Sequence, residues 1–209
     1  MTTECDAIIT KSELVERLAH ACAELEAAED ELTGIDAQFG DADHGLTMVK
    51  IAHAIQQAAC TSQGGIRELF DDAAMAVMAL NGGSAVPLWN TWLDGLQEGA
   101  PEGDWATADH IRAMFSHALD ELSDISGAQV GDKTLMDAVV PATQAMLACE
   151  GDATTLFDAA AQAAWQGAEH TKECVAKFGR AKSYGEKTLG TPDAGAVSMA
   201  RFFQGLARA

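Results

Sequence analysis

Apolar residues recur along this chain at the three- and four-residue spacing of an amphipathic helix. Nowhere do they give the sustained alternation of a strand. Leu14, Leu18, Leu25 and Leu32 share one face of a helix predicted over 11–32. Thr10 and Glu13 have the spacing of a capping box at its start, and Gly34 is expected to end it. Further helices are predicted over 45–60, 66–79, 87–97, 106–122, 133–149, 154–176 and 194–207. Pro87 suits a first helical turn, where its missing N–H would have no partner anyway. Pro141 is expected to kink the sixth helix. The pattern predicts an all-α fold of eight helices in one domain spanning 1–209, with 177–192 a long glycine-rich loop.

Four inter-helix segments combine glycine with polar or charged residues: 40–45, 81–84, 127–134 and 179–195. They follow predicted helices one, three, five and seven. In an up-and-down bundle those connections lie at one end, where glycine lets backbone N–H groups approach an anion closely. Glycine is also a common helix cap, which is the competing reading.

Charge narrows the chemistry. The 209 residues carry 13 Lys plus Arg against 32 Asp plus Glu, a net charge of −19. That field repels nucleic acid, and a phosphate site inside it needs carboxylates with Mg²⁺ or a nest of backbone N–H groups. The five cysteines show no zinc spacing and read as reduced thiols of a cytoplasmic protein. No signal peptide or membrane span is predicted.

Asp36, Asp41 and Asp43 are the sharpest cluster. In a tight loop their carboxylates can turn to one point, and oxygen-only ligands call for a hard cation. The calcium-loop spacing is absent, so Mg²⁺ is expected, as two ions sharing the three groups and bridging nucleotide phosphates. Turn capping is the alternative use of such residues. His44 either meets a phosphate or caps the next helix, and Thr47 lies one turn further on. Gly131-Asp132-Lys133-Thr134 is similar to the end of a P-loop but lacks the upstream glycine and the preceding strand. Lys133 still offers a charge near a phosphate. Arg180, with Lys182 and Lys187, forms a basic cluster in an acidic chain, and Arg180 is the candidate phosphate contact. No Ser-His-Asp set or activated cysteine is present.

Together these motifs resemble the nucleotide-binding subunit of dihydroxyacetone kinase, the DhaL family. The resemblance rests on Gly40-Asp41-Ala42-Asp43-His44-Gly45 with Asp36 upstream, and on Gly82-Gly83 followed by Pro87-Leu88. It continues through Gly131-Asp132-Lys133-Thr134 with Asp137, then Gly179-Arg180-Ala181 with Gly185-Glu186, and ends on Asp193, Gly195, Ala196 and Ser198. It implies a closed barrel or bundle of eight antiparallel amphipathic helices, with ADP or ATP and Mg²⁺ at one end. It places the metal ligands on Asp36, Asp41 and Asp43. It places nucleotide contacts on His44, Gly45, Leu46, Thr47, Gly83, Ser84, Ala85, Gly127, Leu135, Arg180, Asp193, Ala194 and Gly195, with Arg180 also catalytic and Leu135 beside the adenine. It implies a separate ketose-binding kinase subunit as partner and a phosphotransferase-system phosphoprotein as a possible donor.

Two departures stand out. The family's Gly-Gly-Ala-Ser-Gly-Pro is here Gly82-Gly83-Ser84-Ala85-Val86-Pro87, which moves the serine and puts a β-branched residue at a glycine position. The late loop also carries an inserted-looking Lys182 between Ala181 and Ser183. These changes leave room for a four-carbon ketose substrate, or for a catalytically silent interaction protein that keeps the fold.

Overall fold

The computed structural model describes residues 8–208. Cys5 and most of the N-terminal segment read for targeting lie outside the described residues. Within them the chain forms β1 (Ile8–Thr10), α1 (Lys11–Ala27), α2 (Glu29–Asp36), α3 (His44–Thr61), α4 (Ile66–Met78), α5 (Ala85–Gly99), β2 (Trp105–Thr107), α6 (Ala108–Ser126), α7 (Met136–Ala148), α8 (Ala153–His170) and α9 (Ala194–Leu206). Two 3-10 segments, Thr171–Glu173 and Ala181–Thr188, lie between α8 and α9.

The all-α reading holds, but the closed barrel of eight helices does not. Among the described residues there are nine α-helices in a bundle, with the two 3-10 segments. β1 and β2 make an antiparallel pair, Ile9 opposite Ala106, that closes nothing. The extra helix arises because the predicted 11–32 breaks at Ala28, whose backbone (φ −92°, ψ 5°) leaves the helical region. The capping box at Thr10 and Glu13 is present. The new start is marked by Glu29, Asp30 and Glu31, acidic residues that favour a helix N-terminus. Gly34 does not end this helix, which runs on to Asp36. The strands were missed because three residues each are too short to show a period.

α1 packs on α3 and α9, α5 on α4 and α6, and α8 on α7 and α9. Trp92, fully buried, anchors the interior with its ring edge-on to Trp89, Phe115, Phe202 and Phe203 at 5.5–6.0 Å. Four of the cysteines, Cys22, Cys60, Cys149 and Cys174, are free thiols. No helix among the described residues is long and apolar enough to cross a membrane.

Pro141 lies inside α7 without ending it. Its ring removes the N–H that the Asp137 carbonyl would have received. That carbonyl faces Gly167 of α8, where a Cβ would overlap it. Gly167 therefore sets how closely α8 can lie on α7. Gly167→Ala should destabilise the fold by roughly 1–3 kcal/mol in urea titration. Gly34→Ala, in helical backbone with open space around it, should instead be neutral or stabilising by up to ~1 kcal/mol. Equal effects at the two sites would refute the close-approach argument.

Candidate functional site

The acidic loop joins the C-terminal end of α2 to the N-terminal end of α3. Gly40 allows the turn: its N–H donates to the Asp36 carbonyl at 2.6 Å, and a Cβ there would collide with the Asp36 side chain. Ala42 adopts a left-handed backbone (φ 61°), an uncommon state for a residue with a Cβ. The result is that Asp36, Asp41 and Asp43 each bring one carboxylate oxygen within 4.8 Å of the others. Asp36 also accepts the Asp43 N–H at 3.1 Å.

These carboxylates are not helix caps. Asp43 immediately precedes α3, yet its side chain makes no capping hydrogen bond. Partial burial, followed by the nearby Asp41 and Asp36 charges, raises its pKa, and Arg180 opposes that rise. Arg180 forms an ion pair with Asp41. The donor set fits Mg²⁺: three hard oxygen ligands whose mutual repulsion a cation relieves.

Other elements converge on the same end. A Cβ on Gly83 would lie 4.0 Å from the Asp43 carboxylate, so the turn before α5 adjoins the acidic loop. Neither α3 nor α5 has a side-chain cap, which leaves first-turn N–H groups free for an anion. His44 Nε2 lies 3.2 Å from the Ser198 hydroxyl of α9. Burial pushes the imidazole down toward its neutral form, against the pull of Asp36. Gly195 sits against Leu135, within ordinary contact distance for a Cβ.

The segment after α8 closes over the acidic loop at three points. Arg180 holds Asp41, the Tyr184 ring packs on Phe39 at 5.2 Å, and the Thr191 hydroxyl donates to Gln38 at 3.0 Å. Sequence reading gave Arg180 but not Gln38, Phe39 or Tyr184. Nothing in their local pattern sets them apart, because their partners lie well over a hundred residues away.

Several expected site residues have other placements. Gly45 is buried where a Cβ would strike the Glu29 carbonyl and the Thr33 hydroxyl, so it serves helix packing. Thr47 is buried and Leu46 is exposed. Gly127 caps α6 in the left-handed region (φ 62°), with open space where a side chain would stand. Ser84 and Ala85 lead into α5. Val86 is buried in its first turn against Gly82, with neither Gly82 nor Gly83 at positive φ. Val86 itself is not at positive φ, so its branched side chain meets no left-handed strain there. Lys133 points inward, not toward a phosphate: its ammonium donates to the Thr171 carbonyl at 2.6 Å and to the Thr191 carbonyl. The surface hollow lined by Ile9, Arg17, Asp152 and Arg208 lies at the other end of α9, beside the Leu206 carbonyl that Arg17 binds.

Asp193 caps α9 by accepting the Ala196 N–H at 2.8 Å, and its own N–H donates to the Thr171 hydroxyl. Ala194 opens the helix. Burial pushes the Asp193 carboxyl up to about 7, opposed first by the Ala196 hydrogen bond. The folded chain thus holds a proton there that the unfolded chain has released above its ordinary value of 3.8. This contribution makes stability fall as pH rises from about 4 to 7. Asp193→Asn keeps a good cap and should flatten that part of a Tm-against-pH curve. An unchanged slope would show that Asp193 is not its source.

Known proteins match this architecture. The DAK2 domain family matches residues 38–208. The chain is 40% identical over 196 residues to a D-erythrulose kinase of Mycolicibacterium smegmatis, covering 90% of this chain and 33% of that protein. It is 27% identical over 206 residues to the PEP-dependent dihydroxyacetone kinase, ADP-binding subunit DhaL, of Escherichia coli, covering 96% of this chain and 98% of that protein. The dihydroxyacetone kinase of C. freundii superposes in its native form with a TM-score of 0.74 at 26% identity, over 94% of this chain and 34% of that one. Its complex with AMP-PNP and Mg²⁺ gives 0.71 at 24% identity, over 99% and 36%, and speaks to the fold alone. The chain spans about a third of the length of the erythrulose kinases it matches. On the extent of the family match, which takes in residues 38–208, the chain belongs to the DAK2 domain family.

Proposed function

We propose that this chain holds Mg–ADP or Mg–ATP and passes the terminal phosphoryl group to a hydroxyl of a short ketose, dihydroxyacetone or erythrulose, held outside the chain by a ketose-binding subunit or domain. The convergence of Asp36, Asp41 and Asp43 beside the uncapped starts of α3 and α5 carries this reading. Mg²⁺, when bound, screens the charge on the phosphates. The chain's residues do the rest. Asp36, Asp41 and Asp43 hold the metal, and N–H groups of 44–46 and 83–85 orient the phosphate oxygens. Leu135, with Asp193, Ala194 and Gly195, lines the base end, and Arg180 neutralises charge developing on the transferred group. His44, kept neutral by burial, is held by Ser198, whose hydroxyl donates to the Gly195 carbonyl and accepts from His44 Nε2.

The reading needs no nucleophile from this chain, because the acceptor arrives with the partner. The free thiols fit the cytoplasm. The silent-protein alternative rests on the altered turn at 82–87; Val86 is accommodated in the first turn of α5, and the serine stands at 84 instead of 85.

Calorimetric titration of nucleotide-free protein with ADP tests the reading directly: binding should require Mg²⁺. Asp41→Asn should weaken Mg–ADP binding roughly 10–100-fold, the worth of one charge-assisted contact. Equal affinity would remove Asp41 from the site. Arg180→Ala, assayed with the ketose-binding partner present, should lower kcat about a hundredfold or more. Its Tm should stay within about 2 °C of the parent, because the Arg180–Asp41 pair is solvent-exposed. Unchanged turnover would overturn the catalytic role.

A further inference from the structure

The buried ammonium of Lys133 ties together two chain segments that are far apart in sequence. Lys133 is 4% exposed, and its backbone is left-handed (φ 62°), a conformation that disfavours any residue with a Cβ. Its Nζ donates to the carbonyl of Thr171, just after α8, and to the carbonyl of Thr191, just before α9. Both acceptors lead into the site. The Thr171 hydroxyl accepts the Asp193 N–H at 2.8 Å, and the Thr191 hydroxyl donates to Gln38 of the acidic loop. The Gly190 N–H donates to the Lys172 carbonyl at 2.8 Å, closing the segment back on itself. The turn that carries Lys133 is itself fixed. The buried Asp137 carboxylate accepts the N–H groups of Gly131 and Thr134 at 2.6 and 2.8 Å, and Asp132 accepts the Gln129 N–H and pairs with Lys177. An apolar side chain at 133 would take this donor from the Thr191 carbonyl and leave the Thr171 carbonyl with only the Cys174 N–H.

We propose that Lys133 is a positioning residue. By clamping the carbonyls of Thr171 and Thr191 it sets Arg180, the 3-10 segment that follows it with Tyr184, and the Asp193 start of α9 against the acidic loop. Its effect on nucleotide binding rests on the function proposed above; its effect on the segment does not. The charge at the GDKT sequence thus acts through backbone geometry without touching phosphate.

Two variants separate these roles. Lys133→Met removes the ammonium at similar length. Lys133→Gly also removes it while relieving the left-handed backbone, which keeps the test open if the methionine variant folds poorly. Each is treated with trypsin under native conditions and the cleavage sites are read by mass spectrometry. Cleavage after Arg180, Lys182 and Lys187 should rise at least tenfold relative to the parent, while cleavage after Arg112 in α6 stays within twofold. Unchanged cleavage at the segment would overturn the proposal, and so would an equal rise at Arg112, which marks general loosening. Mg–ADP affinity should fall tenfold or more in the same variants, and parental affinity would overturn the link to the site. If the parent itself binds no Mg–ADP, the proposed function fails, and the cleavage pattern still decides whether Lys133 holds the segment.

Discussion

Three like charges held at one point constrain everything around them. Asp36, Asp41 and Asp43 repel one another, within a chain that already carries −19. Left alone, such a loop would splay into water. Here the backbone denies that escape. Gly40 lets the chain fold onto Asp36, Ala42 takes a left-handed turn, and the Asp43 N–H is spent on the Asp36 carboxylate. Arg180 supplies a positive charge from the far end of the chain. A cluster that is costly by itself is thereby held at one point, the arrangement on which the proposed metal site rests.

That arrangement depends on helices that approach closely enough to bring their starts to one end. Gly45 lets α3 lie on α2, Gly95 lets α5 meet the Ala118 backbone of α6, and Gly205 lets α9 meet Ala21 of α1. Around Trp92 the edge-to-face aromatic packing fixes how α5, α6 and α9 are stacked. A shift along any of these contacts would move Gly83 or Ser198 relative to Asp43 and His44. The core is therefore part of the site's geometry as well as its support.

The late segment shows how a glycine-rich loop becomes ordered. Gly179, Gly185 and Gly190 all have positive φ, so 179–190 turns sharply three times. Its fixed points are side-chain contacts to Asp41, Phe39 and Gln38 on one side and the Lys133 ammonium on the other. Arg180, the basic residue of this loop expected at a phosphate, pairs with the Asp41 carboxylate, while Lys133 of the preceding glycine turn points inward onto the Thr171 and Thr191 carbonyls.

Much was legible in the sequence because it is local. The 3.6-residue apolar period placed most of the helices. The Thr10–Glu13 spacing fixed the start of α1, and the crowding of Asp36, Asp41 and Asp43 into eight residues picked out the acidic loop whose carboxylates converge. The order of motifs was specific enough to indicate the family. Tertiary structure decided what depends on partners distant in the chain. It broke the first predicted helix at Ala28, where no glycine or proline warns of a break. It paired Ile8–Thr10 with Trp105–Thr107, turned Gly45 into a packing contact, and fitted Val86 into a helix where a glycine had been expected. Short-range spacing records a backbone's own preferences. The roles of Lys133, Gly167 and Tyr184 are set by which buried carbonyl or ring another segment happens to present, and only the folded chain specifies that.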